Sequence, residues 1–259
     1  YRFCFIVQVE GASQGESDAE NVVLSAEGDN IYDAVAVVEV GVPYQLNFGR
    51  ANYMLFSKDV AETGYISRFI DESFKNLGVR RSTKLMVVLG DSLDYCIGVV
   101  SKDNPNTSKR QYSILRDYVS EGLTPITNIA MFTQNVNAKR GDNIVTLGAT
   151  DDSIPNEEIT GSSQNSELNP NSTTAGVERT GGLRAYYMGC AVFDGGTVKG
   201  VLSGRDTEII LMAKGMFRAG RITLHHEGGE GHMVLLLKGG GKPKVELSIG
   251  GDAPYAKMS

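Results

Sequence analysis

No apolar run in this chain of 259 residues approaches the roughly 20 residues that a bilayer-crossing helix needs. The longest runs, such as residues 85–89 and 233–237, are the size of a strand. Positive charge is in deficit: 25 Lys and Arg stand against 31 Asp and Glu, for a formal net charge of −6 at pH 7. That balance is unsuited to binding that depends on neutralising many phosphates, so nucleic acid is not an expected partner. Cys is scarce. Cys4, Cys96 and Cys190 are odd in number, widely spaced and set among apolar neighbours. Buried unpaired thiols fit that pattern best, with one disulfide plus a free thiol as the other arrangement, and neither identifies a compartment. An initiating Met, a basic leader and a cleavage site are all missing ahead of a first segment that already reads as a strand, so we expect the natural N-terminus to lie upstream of Tyr1. What remains is a globular composition, 41% apolar and 22% charged, with enough chain for one or two domains.

Hydrophobic periodicity supplies the elements. Residues 2–10 place Phe3, Phe5, Val7 and Val9 on one face, as in a strand packed on one side. Residues 11–21 are too polar to pack and read as a loop. Residues 22–26 form a second short strand, and a turn at Gly28-Asp29-Asn30 opens a helix with Ile31, Val35 and Val38 on its buried face, ended by Gly41 and Pro43. A buried strand follows at 52–57. The next helix repeats Ile66, Phe69, Ile70, Phe74 and Leu77 at spacings of three and four, with Gly78 at its end. Residues 84–90 are apolar on consecutive positions, the mark of a strand covered on both faces. Residues 92–100 and 107–121 read as helices, the second with Tyr112, Leu115 and Val119 on one side, and Leu-Thr-Pro-Ile at 123–126 interrupts regular structure. The pattern assigns no element to residues 128–150.

Residues 151–182 are dominated by Asn, Ser, Thr, Glu and Gly, too polar to offset the entropy of ordering them, and are expected to form a mobile insertion. Two strands, 183–193 and 197–202, then flank Asp194-Gly195-Gly196 as a hairpin. Ser203, with Asp206 three residues on, caps a helix running through Ile209, Ile210 and Met212 to Gly215. Residues 221–227, 232–238 and 244–249 read as strands joined by glycine-rich turns. The expected fold class is α+β, mixed β-sheets packed with helices. Two domains are expected, 1–103 and 104–220, the second holding the insertion, with residues 221–259 as the opening strands of a third.

Chemistry-bearing clusters are few. All three His lie at His225, His226 and His232, with Glu227 and Glu230 nearby. A hairpin could bring one of the adjacent pair opposite His232, and imidazole suits zinc. Strand alternation sends His225 and His226 to opposite faces, so a solvated strand edge is the plainer reading. Gly196, Gly200 and Gly204 match neither the dinucleotide fingerprint nor the Walker loop. No Gly-x-Ser-x-Gly is present, and every His stands far in sequence from a candidate nucleophile. The carboxylate pairs Asp91/Asp94 and Asp151/Asp152 are ordinary on an acidic surface. No catalytic residue and no cofactor is expected.

Two segments carry a family resemblance. Ser25-Ala-Glu-Gly-Asp-Asn-Ile-Tyr-Asp-Ala34, followed by Leu46-Asn-Phe-Gly-Arg-Ala-Asn-Tyr-Met-Leu-Phe-Ser57, and later Gly189-Cys-Ala-Val-Phe-Asp-Gly-Gly-Thr-Val-Lys-Gly-Val-Leu-Ser-Gly-Arg-Asp-Thr207, resemble segments of the C subunit of bacterial spore germinant receptors, the Ger(x)C-type spore germination lipoproteins. The match covers most of residues 1–221. It departs at Arg50-Ala51, where the family has a His, at Asp206-Thr207, where it has Glu-Thr, and in lacking a lipobox Cys. The resemblance implies a non-enzymatic receptor subunit with two membrane-embedded partners, the A and B subunits. It also implies a lipid anchor, upstream of Tyr1, on the outer face of the spore inner membrane. The expected partner contacts are Tyr44, Leu46, Phe48 and Arg50, with Asp194 and Gly195 at the hairpin and Arg205 and Asp206 at the helix start; a plain hairpin tip is the alternative for Asp194 and Gly195. A small-molecule or metal-binding domain using His225, His226 and His232 is the competing function.

Overall fold

In the computed structural model, which describes residues 3–9, 22–43, 45–99, 107–138, 143–150, 185–217, 219–226, 229–236, 244–249 and 257–258, the first two strands pair only with each other. Strand β1 (Phe3–Val9) runs antiparallel to β2 (Val22–Gly28), with Phe3 opposite Gly28 and Val9 opposite Val22. Helix α1 (Ile31–Val40) starts at Asn30, whose side-chain oxygen accepts from the amides of Tyr32 and Asp33, and it buries Ile31, Ala34, Val35 and Val38.

The central sheet has five strands in the spatial order β3 (Tyr53–Ser57), β4 (Lys84–Val88), β5 (Asn143–Thr150), β6 (Ala185–Asp194) and β7 (Thr197–Leu202). The first three are parallel and the last two antiparallel. Parallel neighbours need crossovers. Helices α2 (Lys58–Glu62) and α3 (Ile66–Asn76) lie between β3 and β4 in the chain. Helices α4 (Ser92–Val99), α5 (Thr107–Ser120) and α6 (Ile129–Asn137) lie between β4 and β5, and α7 (Gly204–Ala213) follows β7. A second antiparallel sheet joins β8 (Ala219–His226), β9 (Gly229–Leu236), β10 (Lys244–Ile249) and β11 (Lys257–Met258).

Strand alternation divides the core between the two faces of the central sheet. Leu85, Val87 and Leu89, with Val145, Leu147 and Ala149, pack against Ala61, Ile66, Ile70, Ile129 and Phe132. On the other face Met86 and Val88 meet Tyr95, Cys96, Leu115 and Tyr187, with Ile6 and Val23 of the β1–β2 pair alongside. Beside them Ile144 and Cys190 pack on Leu211 and Phe217. Buried threonines tie the loop after α5 to the sheet: Thr124 donates to the Gly189 carbonyl at 2.9 Å, Thr127 to the Ile144 carbonyl at 2.5 Å, and Thr146 to the Pro125 carbonyl at 2.5 Å.

The α+β class holds, and three features depart from the sequence reading. The stretch left without an element contains α6 and β5, and β5 is the middle strand of the sheet. The division expected at residue 103 passes through one sheet, because β4 from one side of it hydrogen-bonds to β5 from the other. The thiols of Cys96 and Cys190 are buried and free, whereas Cys4 is free but exposed, on the less covered face of a two-stranded pair. The insertion at 151–182 lies outside the described residues.

Candidate functional site

The residues singled out by sequence do not converge on one place. Leu46, Phe48 and Arg50 precede β3 at one edge of the central sheet, whereas Asp194 and Gly195 form the turn between β6 and β7 at the other. Tyr44 lies outside the described residues. The half-buried Leu46 donates its amide to Glu39 Oε1 of α1 at 3.0 Å. The Phe48 ring packs on the main core and stands 6.1 Å from that of Phe5. Both residues therefore have structural work that the sequence did not reveal.

The hairpin tip is likewise held from within. Gly195 adopts φ +60°, which a turn of this kind requires, and a Cβ on Gly196 would come within 2.9 Å of Ser67 Oγ. The tip thus sits against the start of α3. At the start of α7, Ser203 Oγ donates to Asp206 Oδ2 at 2.7 Å and accepts from the Asp206 amide at 3.2 Å, so Asp206 is a capping residue. Neighbouring Arg205 lowers the pKa of Glu208, but burial outweighs it and pushes that carboxyl up to about 7. For the His cluster, the β8–β9 register sets His225 opposite Glu230, Thr223 opposite His232 and His226 opposite Gly229.

What the sequence reading missed lies where β3 and β4 begin. Arg50, Ala51 and Asn52 lead into β3, and Arg80, Ser82 and Lys84 surround the start of β4. Together they line a cavity of about 200 Å³. Its two walls are joined by Thr83 Oγ1 donating to the Ala51 carbonyl at 2.9 Å and by the Lys84 amide donating to the Asn52 carbonyl at 3.0 Å. Arg50 ends a one-turn 3-10 helix (Phe48–Arg50) whose start is capped by Asn47, which accepts from the Gly49 amide at 2.9 Å. Lys84 Nζ stands 5.1 Å from the Tyr53 ring centroid and 4.8 Å from that of Tyr112. Burial lowers the Lys84 pKa and pushes the Tyr53 hydroxyl up to about 12. No sequence motif marks this site, because its halves are 30 residues apart and meet only through strand pairing.

A second unforeseen feature is apolar. Beyond its buried face, α1 exposes Tyr32, Val37 and Val40, at 45%, 57% and 89% of their full surface. The signal was present in the sequence, since Val37 and Val40 fall outside the face of Ile31, Val35 and Val38 and make the helix apolar nearly all round.

Among the described residues no group of three or more His, Cys, Asp or Glu side chains is placed to hold a metal ion, and no helix is long and apolar enough to cross a membrane. Burial raises the pKa of Cys96 and Cys190 to about 11, which makes them poor nucleophiles.

Comparison with known proteins gives one family and one solved structure. The family model described as the spore germination protein N-terminal domain matches residues 3–149. A crystal structure of the GerBC protein aligns at 12% identity and a TM-score of 0.49, over 95% of this chain and 69% of that one. No curated protein matches.

Proposed function

The chain belongs to the family of spore germination proteins defined by that N-terminal domain, and on that premise we propose that it is the C subunit of a nutrient germinant receptor. It acts without catalysis, through contacts with the membrane-embedded A and B subunits, lipid-anchored on the outer face of the spore inner membrane. The observation that carries the contact reading is the exposed apolar face of α1. Val40 is 89% exposed and Val37 57% exposed, one turn apart on a helix. Leaving such side chains in water forfeits part of the roughly 1.5–3 kcal/mol that fully burying an apolar side chain is worth, which a partner surface would recover. Leu46, Phe48 and Arg50 follow this helix in the chain and remain candidates, Leu46 tied to the helix through its amide bond to Glu39. Asp194, Gly195, Arg205 and Asp206 remain candidates at the opposite sheet edge, though the turn geometry accounts for Gly195 and the helix cap for Asp206 locally.

The test is to introduce Val37→Asp with Val40→Asp in the full-length protein in spores. Exposed positions tolerate such changes with little loss of stability, so circular dichroism of the purified chain is expected to be unchanged. Co-purification with the membrane subunits and nutrient-triggered germination are expected to fall to the level of a deletion strain. Wild-type germination in the double variant would sink the reading of this face as the contact.

A second reading is a metal-binding function at His225, His226 and His232, supported by the β8–β9 register in which His225 stands opposite Glu230 and Thr223 opposite His232. Near-stoichiometric zinc or a similar ion in protein purified without an affinity tag would support a metal-binding function there, and its absence would remove it.

A further inference from the structure

We propose that the cavity where β3 and β4 begin is a binding site for a phosphate group, held by the guanidinium groups of Arg50 and Arg80 and the ammonium group of Lys84. Three cations line a space of about 200 Å³, with Asn52 and Ser82 as the neutral polar side chains beside them and no acidic side chain in the lining. Among the described residues none of the three makes an ion pair; the short ion pairs lie elsewhere, Lys58 with Glu62, Arg68 with Glu72 and Arg116 with Asp117. Such a gathering is notable on a chain of net charge −6, where acidic side chains are available to neutralise it.

The site is also built in advance. Thr83 and the Lys84 amide fasten the β4 side to the carbonyls of Ala51 and Asn52 on the β3 side, and Lys84 is steadied between the rings of Tyr53 and Tyr112. The adjacent Arg81 is turned away to Phe74, 5.9 Å from its ring centroid. Holding Lys84 in place before the ligand arrives removes part of the entropy cost of binding. A guanidinium fork matches two oxygens of a phosphate, and a dianion answers three positive charges better than a single carboxylate does. The volume is below the roughly 300–1,000 Å³ of sites for drug-sized ligands, so the cavity suits one oxyanion or the head of a larger molecule. A phospholipid headgroup and free phosphate present the same chemistry. The site does not depend on the α1 contact reading, since it is assembled within this chain alone.

The experiment is an amide-resolved NMR titration of the purified chain with inorganic phosphate, at constant ionic strength with chloride as the balancing anion. Saturable shifts are expected at residues 50–52 and 80–84. In the double variant Arg50→Gln with Arg80→Gln, both exposed positions, saturation is expected to need at least about tenfold more phosphate, as the loss of two charge-assisted contacts requires. Lys84→Gln is a second variant with the same expected direction. A parallel arm uses sedimentation with phosphatidylcholine vesicles with and without phosphatidylglycerol. Retention of the wild type on the anionic vesicles but not of the double variant identifies a lipid source, and phosphate shifts without retention identify a free one. Absence of saturable shifts, shifts scattered away from these residues, or equal binding by the double variant would overturn the proposal.

Discussion

Glu208 is 4% exposed, its Oε1 has no hydrogen-bond partner among the described residues, and its pKa is raised to about 7. Burial is the leading cause. The charge of Arg205 works against it, and that of Glu121 adds to it. A carboxyl whose folded pKa exceeds its unfolded value holds its proton more tightly when folded, so its contribution to stability is complete below about 4.5 and is lost as pH rises through about 7. Glu208→Gln is therefore expected to unfold at similar urea concentration to the wild type at pH 4.5 and to be more stable at pH 8. The gap should approach the order of 3 kcal/mol, from the size of the shift. Parallel pH profiles for the two proteins would show that Glu208 does not titrate in this window. This residue was hidden in the sequence, because a Glu on the polar side of a helical pattern is usually solvated. Gly189 was hidden for a similar reason. Its φ of +83° and the position of the Leu202 carbonyl beside it exclude a Cβ, yet nothing in Met-Gly-Cys distinguishes it from an ordinary strand glycine.

Among the elements, the well-read ones carry their own boundary chemistry. Helix α7 was legible because Ser203 and Asp206 announce its start, and the structure places their hydrogen bonds as the cap requires. Its stability is open to a simple measurement: Ser203→Ala is expected to cost about 1 kcal/mol in chemical denaturation. A cost near zero would mean that packing alone holds the helix start. Thr207, bonded to the Ser203 carbonyl at 2.7 Å and to Cys190 Sγ at 3.3 Å, pins the same turn to β6. Strand β5 was illegible by contrast. Its residues 143–149 are all buried, and a strand covered on both faces loses the alternation that marks a half-exposed one. Only the short run Ile144-Val145-Thr146-Leu147 hinted at it, and so brief a run does not separate strand from helix.

At the scale of the whole molecule, the five-stranded sheet binds residues 53–88 to residues 143–202 through the β4–β5 pairing. Leu85 and Val87 share one core with Val145, Leu147, Ala191 and Phe193, and the Phe132 and Phe193 rings meet edge to face at 5.2 Å. A fragment of residues 1–103 would expose one side of β4 and half of that core. It is expected to show no cooperative thermal transition, whereas residues 1–220 are expected to unfold in a single one. A cooperative transition in the short fragment would restore the division at residue 103. The amino-acid sequence by itself determined the α+β class, the buried faces of α1 and α3, the β6–β7 hairpin and the family signature. Each of these is written in local periodicity, turn chemistry or contiguous residues. Strand order, the central place of β5 and the cationic cavity were decided only by tertiary structure. They depend on which distant segments lie side by side, and the approach of Arg50 to Arg80 exists only once β3 and β4 have paired in register.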